Sequence, residues 1–245
     1  MNKKLILILG AHSDIAMAIA HRFGQAGYDL QLAGRKIKTL ASDCEDIRLR
    51  YSIKVTLHEF DALNTSKHAA FVNELSELPL IVVCVIGYMG KQNVSEQSTS
   101  AAIKVIRSNY EGPISILSEL ANQFEERGYG TLVGISSVAG ERGRGTNYFY
   151  GSAKAGFTAF LSGLRNRLEK KGVNVVTVLP GFVYTKMTEN LDLPRSLTAE
   201  PREVADAIFE SVKKNKDVIY VRAIWLIIMA IIRFLPERVF KRLKL

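Results

Sequence analysis

The chain reads as a single α/β body, a doubly wound parallel sheet of the Rossmann type, with a basic and apolar helical appendage at its C-terminus. Three observations predict this. Short apolar runs alternate with helix-length segments along nearly the whole chain. A glycine turn follows the first run and opens the first helical segment. No Pro/Ser/Gly linker, repeat or low-complexity tract divides the 245 residues, a length that easily buries a core.

The expected strands are 5–9, 29–33, 55–60, 80–86, 131–136, 173–179 and 218–221. Runs this apolar suit strands covered on both faces. Helical segments between them include 14–25, 38–51, 66–78, 99–126, 150–170 and 201–213. The body is placed at residues 1–221 and the appendage at 222–245.

Composition narrows the class. Hydrophobic residues make up 47% and charged residues 23%, both globular values. The net charge of +9 is unevenly spread: residues 213–245 hold nine Lys/Arg and two Asp/Glu, leaving 24 against 22 in the rest. A nearly neutral body with a basic tail lacks the recognition face with interleaved aromatics that nucleic-acid binding needs. The two cysteines, Cys44 and Cys84, have no metal-ligand spacing, and Cys84 reads as a small core residue, so the expectation is a reducing cytoplasm. The apolar run after Met1-Asn2-Lys3-Lys4 lasts five residues and ends in Gly10, which suits a buried strand better than a signal peptide.

The turn Gly10-Ala11-His12-Ser13-Asp14-Ile15-Ala16 sits where a nucleotide pyrophosphate meets a helix N-terminus. Gly10 permits the sharp turn, Ala16 is small enough for close packing, and Ser13 or Asp14 can cap the helix. The other reading is a tight turn with no ligand. The second strand ends in Gly34-Arg35-Lys36, with Lys38 beyond and no acid at its tip, a pattern that favours NADP(H) over NAD(H). A solvated basic turn is the alternative. Asp61, after the third strand, can bond an adenine amine or cap the next helix.

Tyr150 and Lys154 are four apart on a helix and share one face, and no other tyrosine of the nine has a lysine four residues on. An ammonium about 4 Å away is worth roughly 4 kcal/mol at a surface-like dielectric, enough to bring a phenol toward neutral pH. That pair can protonate a carbonyl oxygen. Ser137 follows the fifth strand, at the edge where ligands bind, and can hold a carbonyl beside the phenol; a plain Ser-Ser turn is the alternative. Pro113 has no amide hydrogen for the carbonyl of Asn109, so that carbonyl is free to hold a water, unless the proline is only a kink. Pro180-Gly181-Phe182-Val183-Tyr184-Thr185 follows the sixth strand and can frame a carboxamide, or be simply a loop.

Together, Gly10 and its turn, Asn109, Ser137, Tyr150, Lys154 and Pro180-Gly181 through Thr185 resemble the short-chain dehydrogenase/reductase family from residue 5 to about 221. The resemblance implies hydride transfer between a nicotinamide and a carbonyl or alcohol carbon. Tyr150 would be the acid/base, with Lys154 lowering its pKa and holding the nicotinamide ribose. Ser137 would position the substrate oxygen, and Asn109 would support a relay water. The cofactor contacts it implies are Gly10, His12, Ser13, Asp14, Ile15, Arg35, Asp61, Gly87, Tyr150, Lys154, Pro180, Gly181, Val183 and Thr185. The family's Asn-Asn-Ala-Gly stands here as Cys84-Val85-Ile86-Gly87, keeping only Gly87. Homo-oligomers are usual for the family.

A narrower resemblance lies in Ser136 to Gly156 and in the tail, Arg233-Phe234-Leu235-Pro236 with Arg238 to Leu243. It is to family members that reduce a 2-keto sugar carried on a polyprenyl phosphate after a flavin oxidase partner has made the ketone. Arg142 and Arg144 can grip such a phosphodiester, with Glu141 orienting them or bonding sugar hydroxyls; surface charge is the alternative. A general carbonyl reductase of small or lipidic ketones, a non-catalytic dinucleotide-binding regulator and a membrane-surface interaction protein are the other readings.

In the tail, residues 223–232 are uninterruptedly apolar. As a helix this is about 15 Å, half a bilayer's core, so it cannot span. Arg238, Lys241, Arg242 and Lys244 follow, interleaved with Val239, Phe240, Leu243 and Leu245. The segment 223–245 suits peripheral contact with anionic lipid at the inner face of the membrane. Packing on the body or a dimer contact is the alternative.

Overall fold

The computed structural model describes residues 4–189 and 191–243. Met1, Asn2, Lys3, Lys244 and Leu245, used above in reading the two ends, lie outside them.

Seven parallel strands form one sheet: β1 (Leu5–Leu9), β2 (Asp29–Gly34), β3 (Val55–Glu59), β4 (Ile81–Cys84), β5 (Gly130–Ile135), β6 (Val173–Pro180) and β9 (Val218–Val221), in the spatial order β3-β2-β1-β4-β5-β6-β9. Two short strands, β7 (Phe182–Val183) and β8 (Thr198–Ala199), pair separately. The expected strands are present, most ending within a residue or two of their predicted bounds. Continuous apolar runs explain this agreement: every residue of β1 and of β4 is buried. A strand with no solvent face needs no alternation.

Helices cover both faces. They are α1 (Asp14–Gln25), α2 (Ala41–Tyr51), α3 (His68–Asn73), α4 (Gln92–Gln97), α5 (Thr99–Ile106), α6 (Gly112–Arg127), α7 (Tyr148–Leu168) and α8 (Pro201–Lys213). One core layer packs Ile19, Phe23 and Ile208 against Ile6, Ile8 and Val176; the other packs Leu117, Phe124, Phe157 and Leu161 against Leu7, Val82 and Val175.

Two helices depart from expectation. The segment 66–78 is a 3₁₀ turn, Thr65–Lys67, and then only α3. Pro79 ends the stretch and disfavours helix at Leu78. The segment 99–126 is interrupted between α5 and α6 by a π-helical turn, Arg107–Glu111, directly before Pro113. Such turns mark places where the helical ladder is disturbed and are frequent at functional sites.

The appendage is α9 (Ile224–Phe234) and a short α10 (Glu237–Phe240). Trp225 and Met229, one turn apart, join Val138 and Leu179 in a small third cluster. α9 therefore packs on the body with one face, as one of the two readings of the tail expected. No helix among the described residues is long and apolar enough to cross a membrane.

Candidate active site

Strand order reverses between β1 and β4, which opens a crevice at the carboxyl ends of the strands. The candidate residues lie along that edge. Gly10 follows β1, Arg35 follows β2, Gly87 lies beyond β4, Ser137 follows β5, and Gly181 follows β6. A concavity of about 800 Å³ between Lys4, Tyr28, Tyr129 and Asp217 lies at the opposite edge, the wrong end of a parallel sheet for a nucleotide.

Gly10 has φ +89°, a conformation that disfavours any side chain, and a Cβ there would fall 3.2 Å from the Ile86 amide nitrogen. The Gly10 and Ala11 amides both donate to the Ala33 carbonyl, at 2.9 and 3.0 Å, tying the turn to β2. Ser13 is the N-cap residue of α1, but its hydroxyl makes no capping hydrogen bond. Asp14 does not cap either: its carboxylate accepts from the Lys186 amide at 2.8 Å. The expectation of a side-chain cap is thus corrected, and the first amides of α1, Ile15 among them, keep their attraction for an anion.

His12 reaches Thr39 Oγ1 at 2.9 Å and lies beside Gly34. Arg35 is exposed. Glu59, which sequence reading missed, closes the β2 turn by accepting from the Lys36 amide at 2.7 Å and the Ile37 amide at 3.1 Å. Its signal was slight, an acid at the end of the neighbouring strand. Asp61 takes the Leu63 amide at 3.0 Å, so it serves the turn before α3.

Ser137, Tyr150, Lys154 and Asn109 are brought together. α7 sits directly on the turn after β5: a Cβ at Gly151 would fall 2.8 Å from the Ala139 carbonyl oxygen. Ser136, also missed by sequence reading, fixes this contact from below through the Lys154 carbonyl at 3.0 Å and Thr158 Oγ1 at 2.7 Å. Its only signal was the Ser-Ser pair. Ser137 Oγ accepts from the Ala139 amide at 3.1 Å and hydrogen-bonds the Tyr150 hydroxyl.

Lys154 is 3% exposed and donates to the Ile135 carbonyl at 2.9 Å. Its ammonium stands 5.8 Å from the centre of the Tyr150 ring. A Cβ at Gly87 would meet Asn109 Oδ1 at 3.2 Å and Lys154 Nζ at 3.7 Å, so the three groups share one corner. Asn109 is fully buried in the π turn. Its amide donates to the carbonyls of Tyr88 and Val105, at 2.6 and 2.8 Å, and its Oδ1 accepts from the Tyr88 amide at 3.1 Å. The side chain thereby staples the chain beyond β4 to the helix.

The electrostatics correct one expectation. Burial pushes the Tyr150 phenol up to about 12, opposed only by the Ser137 hydrogen bond. The Lys154 ammonium is turned onto the Ile135 carbonyl, and burial prevails at the phenol. Burial also brings Lys154 down to about 8. Folding therefore opposes protonation of Lys154, a cost fully present below about pH 8 and relieved as pH rises toward 10.5. A tenfold shift in protonation is worth about 1.4 kcal/mol, so the cost is roughly 3 kcal/mol. Lys154→Met is expected to raise the thermal midpoint at pH 7 without added nucleotide and to abolish turnover. A melting series against pH should show the gain shrinking between about pH 8 and 10.5.

Beyond β6, Thr188 Oγ1 donates to the Val183 carbonyl at 2.6 Å and accepts from the Thr185 amide at 3.1 Å, shaping the loop after Pro180-Gly181. A Cβ at Gly181 would overlap the Trp225 indole, whose Nε1 donates to the Leu197 carbonyl at 3.0 Å.

Arg142 is not free to grip a phosphate, and that expectation is corrected. Its guanidinium donates to the carbonyls of Ile232, Arg233 and Leu235, pairs with Glu237 at 2.9 Å and stacks on Phe240. The carbonyls at the end of α9 have no helical partners, and a cation there satisfies them. Arg144 lies against Met229, and Glu141 accepts from the Tyr220 hydroxyl at 2.7 Å.

A parallel sheet with a helix N-terminus at its switch point, and a serine, tyrosine and lysine converging beside it, defines a nucleotide-binding oxidoreductase class. The model of the short chain dehydrogenase family matches residues 4–195. The chain is 34% identical to an uncharacterized oxidoreductase of Mycobacterium tuberculosis over 241 residues, 97% of this chain and 96% of that one. It is 32% identical to an uncharacterized oxidoreductase of Streptomyces coelicolor over 242 residues, 97% and 95% of the two chains. Among solved structures it resembles a short-chain dehydrogenase from Sphingobium yanoikuyae in complex with NADPH, with TM-score 0.81, 22% identity, and 95% and 96% coverage. The chain belongs to the short-chain dehydrogenase/reductase family and is an oxidoreductase of that family.

Proposed function

We propose that this oxidoreductase reduces a ketone with NADPH, and that the ketone is a 2-keto sugar on a polyprenyl phosphate, as in decaprenylphosphoryl-2-keto-ribose reductases. The observation that carries the reaction class is the convergence of Ser137, Tyr150 and Lys154 at the carboxyl edge, beside the Gly10 turn.

The residues present fit a dinucleotide. The Gly10 turn approaches the backbone where a Cβ would crowd it, and α1 begins without a side-chain cap. When bound, the nicotinamide supplies hydride to the carbonyl carbon. Ser137 holds the carbonyl oxygen and Tyr150 gives it a proton. Lys154 holds the ribose, and its charge favours the phenolate once the proton has left. Asn109 supports the water that returns the proton. Gly10, His12, Ser13, Asp14 and Ile15 would hold the pyrophosphate side. Asp61 and Gly87 would hold the adenosine and ribose side, and Pro180, Gly181, Val183 and Thr185 the nicotinamide. Residues 1–221 are the dinucleotide-binding unit and 222–245 its appendage.

NADP(H) preference rests on Arg35 and on the absence of an acid at the β2 tip, since Glu59 is spent on two backbone amides. The solved Sphingobium enzyme and an actinorhodin polyketide ketoreductase carry NADPH, and a 3-oxoacyl-[acyl-carrier protein] reductase from Brucella melitensis carries NAD. Arg35→Asp is expected to raise KM for NADPH by about 10–100-fold, from a lost charge-assisted bond to phosphate, and to leave NADH use little changed. An unchanged ratio of the two KM values would remove Arg35 from cofactor choice.

The substrate reading draws support from the Ser136–Gly156 stretch and the basic-apolar tail beside the site. It includes a flavin oxidase partner that supplies the ketone, peripheral placement at the cytoplasmic face of the inner membrane, and a homo-oligomer. The test is NADPH oxidation by the purified protein with a polyprenyl-phosphate keto sugar against simple ketones. Equal kcat/KM for both would leave only a general carbonyl reductase.

A further inference from the structure

α9 has two faces of opposite fate. Trp225 and Met229 are buried at 4% and 0% exposure, with Ile228 and Ile232 beside them. On the other side Leu226 is 52% exposed, Ile227 59%, Ile231 60% and Phe234 87%. The spacing 227, 231, 234 makes this one helical stripe, and it has no protein partner among the described residues. Beyond it lie exposed Arg238, Lys241 and Arg242, with Val239 and Leu243 also outward. The acids that reach this region are already paired, Glu237 with Arg142 and Glu141 with Arg233.

We propose that this outward stripe of α9, with the cations around α10, is a docking surface for an anionic lipid bilayer. It deepens the function proposed above by naming the surface from which the substrate arrives, and it rests on that reading only for the lipid tail of the substrate. Apolar side chains in a row beside clustered cations match an interface of acyl chains and anionic headgroups. A second copy of the chain fits less well, because pairing these faces would bring two sets of like charges together. The helix is about 16 Å long and lies along the interface rather than through it.

The placement follows from the inner face. α9 rests on Val138, next to Ser137, and its Trp225 covers Gly181. The bilayer would therefore lie about one helix diameter, roughly 10 Å, from the reacting end of the site. Arg142 holds the helix there by its terminal carbonyls. A carbonyl on a polyprenyl-linked headgroup can then reach the site with its tail still in the membrane.

The test uses the full chain and vesicles of phosphatidylcholine with or without phosphatidylglycerol, read by co-sedimentation. Wild type is expected to partition at least about ten-fold better onto the anionic vesicles, and less so at high salt. The double substitution Ile231→Glu with Phe234→Glu, at exposed positions, should abolish binding and leave NADPH turnover of a water-soluble ketone unchanged. Replacing Arg238, Lys241 and Arg242 by Glu should remove the anionic preference. Wild type left in the supernatant, or a double variant that sediments like wild type, overturns the proposal. So does a wild-type dimer that the double variant dissociates, because a second copy would then cover the stripe. Vesicle binding without turnover of any ketone would instead sink the reductase reading and leave this one standing.

Discussion

Tyr150→Phe is expected to lower turnover by about 10²–10⁴-fold, the usual range for losing a positioned general acid. The substitution keeps the ring that packs near Lys154 and removes only the hydroxyl that Ser137 contacts. Nucleotide affinity should therefore survive, which separates lost chemistry from lost folding. The raised phenol sets the sign of the pH dependence. With burial holding it up to about 12, Tyr150 carries its proton throughout the neutral range, so reduction is not limited there by the state of the phenol. Oxidation of an alcohol needs the phenolate and should speed up as pH rises. Steady-state rates in both directions across pH, with nucleotide binding followed by fluorescence, check this. A Phe variant with wild-type turnover would remove the phenol from the reaction.

The second large effect belongs to Trp225. Its indole fills the space over Gly181, contacts Phe182 edge-on at 5.3 Å between ring centres, and spends its N–H on the Leu197 carbonyl. Trp225→Ala is expected to cost about 3–5 kcal/mol of docking for the appendage, the usual range for a buried tryptophan. The readout is lost amide-exchange protection across α9, with a lower thermal midpoint. Gly181→Ala attacks the same contact from the other side, since its methyl and the indole cannot share the space. The two single variants should weaken α9 alike, and the double should cost less than their sum, because the second change meets a contact already lost. Full additivity would place the two residues in separate contacts.

What could be read in advance divides by range. The strands were visible because a parallel strand buried on both faces is an uninterrupted apolar run, as 5–9 and 81–84 show. Ser137, Tyr150 and Lys154 were visible because two of them are a helical turn apart and the third ends a strand on the ligand edge. Less accessible was every contact made by groups far apart in the chain. Asp14 meets Lys186, Arg142 meets Leu235, and Trp225 meets Gly181. No local spacing encodes such meetings. Arg142 shows the consequence: a cation beside a substrate site reads as a phosphate ligand until its actual partners, backbone oxygens from the tail, are seen. The Tyr150 pKa was misjudged for a related reason. Sequence supplies the neighbouring charge, but desolvation depends on the finished packing.

The anchoring of the appendage by Arg142 has an evolutionary corollary. That guanidinium grips main-chain oxygens, which every amino acid possesses, and Trp225 and Met229 hold the inward side. The outward positions 226, 227, 231 and 234 are thereby released from any duty in attachment. Mutation can redraw their chemistry, greasier, more polar or bulkier, while the hinge to the catalytic body stays as it is. A lineage could in this way readdress the same oxidoreductase to new surroundings without rebuilding its reaction centre.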